Sequence, residues 1–225
     1  MDGAWTGAAV GLLLAPLLRA TAVRFAVPSG EPRRDCCPRP LPVLPTGRCA
    51  RCRSRTGPPP GSVEAVCAAV GWAVAATADA PVVLLLAWTA VFGVVLAFVD
   101  AAVHRLPDPL TLPLLAGTAV LLPLVEHRPA VLLRCLLAAA ALGLLFGLLA
   151  LFAPLGFGDV KLAPALGAVL GLYGLRTLTN GLFYTCLLAG LWAVALLLTR
   201  RAGRGTELAF GPAMLLGTLL ALVNH

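Results

Sequence analysis

The stretch APVVLLLAWTAVFGVVLAFV, Ala80–Val99, runs for twenty residues without a charge and stops at Asp100. A helix rises about 1.5 Å per residue, so twenty apolar residues match the roughly 30 Å hydrocarbon core of a bilayer. Working outward, comparable runs occupy roughly 5–24, 62–78, 109–126, 129–153, 160–175, 179–199 and 207–223, separated by Pro, Gly or clustered charge. With 80–99 they predict eight helices. The runs at 62–78 and 160–175 are short and rich in Ala or Gly, and losing one of them leaves seven.

Composition agrees. The 225 residues are 60% hydrophobic and 12% charged, against about 25% charged in an average soluble domain. That excludes an ordinary soluble globular fold and predicts an all-α, polytopic transmembrane helix bundle whose partner is the lipid bilayer. The net charge of +7 does not point to nucleic acid, because the seventeen basic residues cluster between apolar runs instead of forming one binding stripe. Seven cysteines, three of them (Cys67, Cys135, Cys186) inside apolar runs, argue against a secreted disulfide framework.

The charge clusters predict topology. The first run begins with Asp2 and carries Arg19 and Arg24 at its far end, the pattern of an uncleaved anchor with its N-terminus outside. Segment 28–61 follows with Arg33, Arg34, Arg39, Arg48, Arg51, Arg53 and Arg55, so it is expected in the cytoplasm. Alternation then places 100–108, 154–161 and 200–206 on that face, the last with Arg200, Arg201 and Arg204. The expected outer turns hold Arg128 and Arg176 beside Asp79 and Glu126. The organisation reads as a first span (1–27), a short Arg-, Cys- and Pro-rich loop (28–61) and a transmembrane core (62–225). Gly143/Gly147 and Gly167/Gly171 have the Gly-xxx-Gly spacing that lets two helices approach closely in lipid.

Two of the ten acidic residues are placed differently from the others. Asp100 closes the 80–99 run, and Asp159 lies in Gly156-Phe157-Gly158-Asp159-Val160-Lys161, ahead of the run at 160–175. A carboxylate at membrane depth costs roughly 2.5–3.5 kcal/mol on insertion scales, so it normally faces the bundle interior or a water-filled cavity. Either acid alone also reads as a helix-end charge. As a pair facing one water they cannot both ionise easily, and that is the requirement of aspartyl hydrolysis. The ionised member takes a proton from water, the protonated member donates to the scissile carbonyl oxygen, and no metal or cofactor is required.

The run from Asp100 reads Asp100-Ala101-Ala102-Val103-His104-Arg105-Leu106-Pro107-Asp108-Pro109-Leu110-Thr111-Leu112-Pro113, and the last span opens with Phe210-Gly211-Pro212. With the Gly156–Leu162 segment, these three ordered elements resemble the type IV prepilin peptidases, the membrane aspartyl proteases marked by Gly-x-Gly-Asp. The likeness covers about residues 60–222 well and 1–60 loosely. It implies that Asp100 and Asp159 are the catalytic dyad and that Gly156, Gly158 and Lys161 belong to the active-site loop. It also implies an aspartic-type endopeptidase of the cytoplasmic membrane, cleaving the leader of type IV prepilins or pseudopilins after a glycine at the cytoplasmic face. Asp108 is expected to cap the fourth helix. Lys161 reads either as a cation favouring a nearby carboxylate or as a snorkelling surface charge, and His104 as an exposed loop residue.

Many members of that family carry two Cys-x-x-Cys pairs suited to zinc. Here Cys49-Ala50-Arg51-Cys52 is intact, while adjacent Cys36-Cys37 replaces the other pair, so these four are the zinc candidates against reduced thiols. Longer members also methylate the new N-terminus with S-adenosylmethionine. Segment 28–61 shows no Gly-rich nucleotide fingerprint, and Glu64, which matches an acidic residue of the family, is equally explained by a helix N-terminus. Two rival readings are a proton- or ion-coupled transporter, in which both acids would lie nearer the midplane, and an inactive scaffold that keeps the fold.

Overall fold

The computed structural model describes residues 2–27, 57–152, 156–199 and 209–225. Among them every regular element is an α-helix: α1 (Asp2–Phe25), α2 (Ser62–Thr77), α3 (Val82–Val103), α4 (Asp108–Val125), α5 (Pro129–Phe152), α6 (Phe157–Tyr173), α7 (Leu175–Leu198) and α8 (Gly211–Val223). The helices follow the apolar runs, as expected. Five of them, α1, α3, α4, α5 and α7, are long and apolar enough to cross a bilayer, while α2 and α8 are apolar but shorter. Leu13, Phe152 and Leu198 stand well exposed among many other large apolar side chains. Such a surface is stable in lipid, and the chain is a multi-pass membrane protein.

The described residues form two compact units, Met1–Val103 and His104–His225. In the first, α1 and α2 run antiparallel in close contact. A Cβ at Gly7 would collide with the Gly71 carbonyl, and one at Gly11 with the Cys67 carbonyl. Gly7-xxx-Gly11 is thus a third close-approach motif, and its spacing in the sequence could have identified it. Near the C-terminal end of α1, Arg19 is fully buried. Its Nη2 meets Glu64 Oε2 at 2.5 Å and its Nε donates to Glu64 Oε1 at 3.1 Å. The same guanidinium donates to the Pro58 and Pro59 carbonyls at 3.0 and 3.3 Å. Arg19, expected to act as a topology charge, pairs with Glu64, which lies in the first turn of α2 as expected, and the network ties Pro58 and Pro59 to both helices.

In the second unit, α5 and α6 are also antiparallel. Gly167 lies on the backbone of Ala138 and Ala139, Gly171 on Cys135 and Ala138, and Gly143 on the Pro164 ring. Both glycine spacings read from the sequence are therefore used in helix packing. Arg134 donates from Nε to the Gly171 carbonyl at 2.7 Å and from Nη2 to the Leu172 carbonyl at 2.8 Å, satisfying two of the acceptors left open at the C-terminal end of α6. Across the α7–α8 contact, Gly217 leaves room for Thr185.

Two helix boundaries differ from the sequence expectation in ways that matter chemically. Helix α3 does not end at the apolar run but continues to Val103, where His104 turns into the left-handed region (φ 52°) and stops it. Helix α6 starts at Phe157, so Gly158 and Asp159 are helical and not part of a preceding loop.

Candidate active site

Asp159 sits in the first turn of α6. Its backbone N–H donates to the Gly156 carbonyl at 3.0 Å, and Gly156, with extended backbone (φ −68°, ψ 136°), is the residue before the helix. The Asp159 side chain belongs to a residue only 4% exposed. A carboxylate in a first turn lies where the unpaired N–H groups of the helix concentrate positive potential.

The two glycines before it have different jobs. A Cβ at Gly158 would run into Leu106, whose Cα lies 3.2 Å from that position. Gly158 therefore lets Leu106 lie directly on the turn that carries Asp159. At Gly156 a Cβ would stand 3.6 Å from Asp159 Oδ2, an ordinary contact. Among the described residues the packing does not demand a glycine there. Phe157, between them, is 76% exposed although its neighbour two residues on is buried.

Lys161 continues the same turn, and its Nζ donates to Asp108 Oδ1 at 2.5 Å. The expected cap is not made: Pro107 precedes α4 with extended backbone, and no side chain caps the helix. With Asp108 inside the first turn its carboxylate lies past the capping position, and it reaches α6 instead. Lys161 is therefore an ion-pair partner, a role the sequence could not display because Asp108 is 53 residues away.

Asp100 lies in the first unit, in the last turn of α3, and is 4% exposed, beside fully buried Leu96 and Val99. His104 is exposed, as expected. In the second unit Phe210 precedes α8, with its ring edge-on to Phe146 at 5.7 Å between centroids; Gly211 and Pro212 open the helix, and Gly211 is buried. The zinc candidates Cys36, Cys37, Cys49 and Cys52 lie outside the described residues, among which no cluster of three or more His, Cys, Asp or Glu could hold a metal.

Residues 84–194, which contain Asp100, Asp108, Asp159 and Lys161, match the type IV leader peptidase family. Over 219 residues the chain is 30% identical to a prepilin leader peptidase/N-methyltransferase of Aeromonas salmonicida (strain A449), covering 84% of this chain and 71% of the relative. The protein of that name from Aeromonas hydrophila is 32% identical over 220 residues, with the same shares. That from Pseudomonas aeruginosa is 30% identical over 193 residues, 79% of this chain and 62% of the relative. No solved structure matches the chain.

Proposed function

Since the chain belongs to the type IV leader peptidase family, we propose that it is a membrane endopeptidase that removes the leader from prepilin-like proteins, with Asp100 and Asp159 as its acid–base pair. The observation that carries this reading is a match spanning both acids and most of the chain, joined to a membrane-type helical fold. Each carboxyl lies in a buried residue at the end of an apolar helix, a position that is costly unless it is used or satisfied.

In the proposed reaction one carboxyl is ionised and the other protonated. The ionised group accepts a proton from water as the water oxygen bonds to the scissile carbonyl carbon. The protonated group donates to the carbonyl oxygen, giving a tetrahedral diol. As the C–N bond breaks, the leaving nitrogen takes the proton of the protonated carboxyl while the ionised carboxyl takes one from a diol hydroxyl, so the carbonyl re-forms and the pair returns to its starting charge. The substrate class is a precursor with a short basic leader ahead of an apolar helix. The Arg-rich segments 28–61 and 200–206 support a cytoplasmic position for the loops near both acids, the face at which such a junction arrives. By the same bias the N-terminus faces outward, and the family reading implies the cytoplasmic membrane. The glycine faces of α5 and α6 are filled by one another, so a substrate helix must dock elsewhere.

The relatives' names include N-methylation, which takes S-adenosylmethionine as methyl donor. The cavity of about 120 Å³ among α1, α2 and α3 does not fit that cofactor, since Val10, Leu14, Val70 and its other lining residues are apolar.

Mass spectrometry of a prepilin co-expressed with wild type and with Asp159→Asn tests the reading. Leader loss with wild type alone supports it, and an added methyl mass reports the second activity. A leader retained with both proteins, for a precursor processed by a relative, counts against it.

A further inference from the structure

The segment that enters α4 and the first turn of α6 are joined at two places. Leu106 occupies the space that a Cβ at Gly158 would need, and two residues further along Asp108 meets Lys161 at 2.5 Å. The receiving residues, Gly158 and Lys161, bracket Asp159 in the chain. One contact alone would let the turn pivot; two contacts, on either side of the carboxylate-bearing residue, fix its orientation. The Asp108 carboxylate is available for this because it makes no cap on its own helix. Both side chains of the ion pair remain partly exposed, 41% for Lys161 and 56% for Asp108. Such pairs contribute little to overall stability, so their effect on a reaction is separable from their effect on folding.

We infer that Asp108 and Lys161 form a positioning clamp that holds the start of α4 against the Asp159 turn, and that leader cleavage depends on their pairing. The inference rests on the reading of Asp159 as catalytic. A displacement of about 1 Å at a reacting group can cost as much as a hundredfold in rate, so a clamp at the helix start acts on turnover more than on substrate binding.

The test uses the purified full chain in detergent and a prepilin-like precursor with a basic leader. The variants are Lys161→Gln, Asp108→Asn, Lys161→Arg, the exchange Lys161→Asp with Asp108→Lys, and Asp159→Asn as reference. Rates are expressed per folded molecule, with folding checked by gel filtration and unfolding midpoint. Loss of the clamp in Lys161→Gln and Asp108→Asn should lower kcat about tenfold while KM stays within about twofold. Lys161→Arg keeps the charge and should stay near wild type, and the exchange should recover most of the loss. Wild-type kcat in both neutral variants, or an exchange no better than the worse of them, overturns the clamp. So does a loss that disappears once rates are expressed per folded molecule, which would make the pair a structural tie. If Asp159→Asn cleaves as fast as wild type, the catalytic reading of Asp159 falls and the clamp with it; if cleavage requires Asp159 and only the clamp variants are silent, the clamp alone falls.

Discussion

Two ion pairs of the same length hold two helix junctions, and their surroundings differ. Arg19–Glu64 and Lys161–Asp108 each close at 2.5 Å between residues far apart in the chain. Arg19 is fully buried and has four hydrogen bonds, whereas both members of the second pair are substantially exposed. Removing one member of a buried pair strands a charge without solvent, while an exposed pair can exchange its partner for water. The first pair is therefore expected to govern whether its unit folds, and the second how well a folded unit works.

The largest effect should come from the buried pair. Arg19→Met removes the partner of Glu64, whose side chain is 18% exposed, and frees the Pro58 and Pro59 carbonyls, at a cost of about 1–3 kcal/mol. Thermal unfolding in detergent would read it as a large fall in midpoint, and adding Glu64→Leu should restore most of that fall. A midpoint unchanged in Arg19→Met would break the comparison at its strong end.

Next comes the packed glycine. Gly158→Ala must displace Leu106, an overpacking cost of about 1–3 kcal/mol partly offset by the roughly 1 kcal/mol better helix propensity of Ala. Stability should change little and cleavage should fall at least about tenfold. Gly156→Ala introduces an ordinary contact and should leave the unfolding midpoint alone; comparing its cleavage rate with that of Gly158→Ala separates packing from access to the carboxylate.

The exposed pair follows. Lys161→Gln should shift stability by less than about 1 kcal/mol, so a midpoint loss as large as that of Arg19→Met would erase the distinction between the two junctions.

The smallest effect belongs to Glu126 and Arg128, in the turn between α4 and α5. Arg128 Nη2 donates to Glu126 Oε2 at 2.7 Å, and this guanidinium, with the Arg128 N–H, holds the Glu126 carboxyl down at about 2. A carboxyl depressed in the folded state stabilises above its ordinary range near 4.5, and that contribution is lost as pH falls toward 2. The midpoint difference between wild type and Glu126→Gln should thus be present at neutral pH and shrink between about pH 4.5 and 2. A difference that grows on acidification would reverse the sign.

The sequence made the helices legible because each is built on a mostly apolar run bounded by Pro, Gly or charge. It also displayed Asp100, Asp159 and the glycines around the latter, since their spacing is local. Two boundaries run past the charge or glycine that ends the apolar run: buried Asp100 is followed by three more helical residues, and Gly158 lies inside α6, where its missing side chain makes room for Leu106. What the sequence hid were pairings. Glu64 lies 45 residues from Arg19 and Lys161 lies 53 from Asp108, so neither partner is visible until the helices pack. Asp108 reads as a cap because an acid before an apolar run usually is one; in the fold Pro107 holds the capping position, so Asp108 falls in the first turn and its carboxylate pairs with Lys161 of α6.

The central claim is that hydrolysis runs on two carboxylates. Its most direct test is the rate of leader removal by purified wild type, Asp100→Asn and Asp159→Asn, each at matched amounts of folded protein. The account predicts that either substitution alone abolishes cleavage with the unfolding midpoint retained; wild-type cleavage by either variant would contradict it.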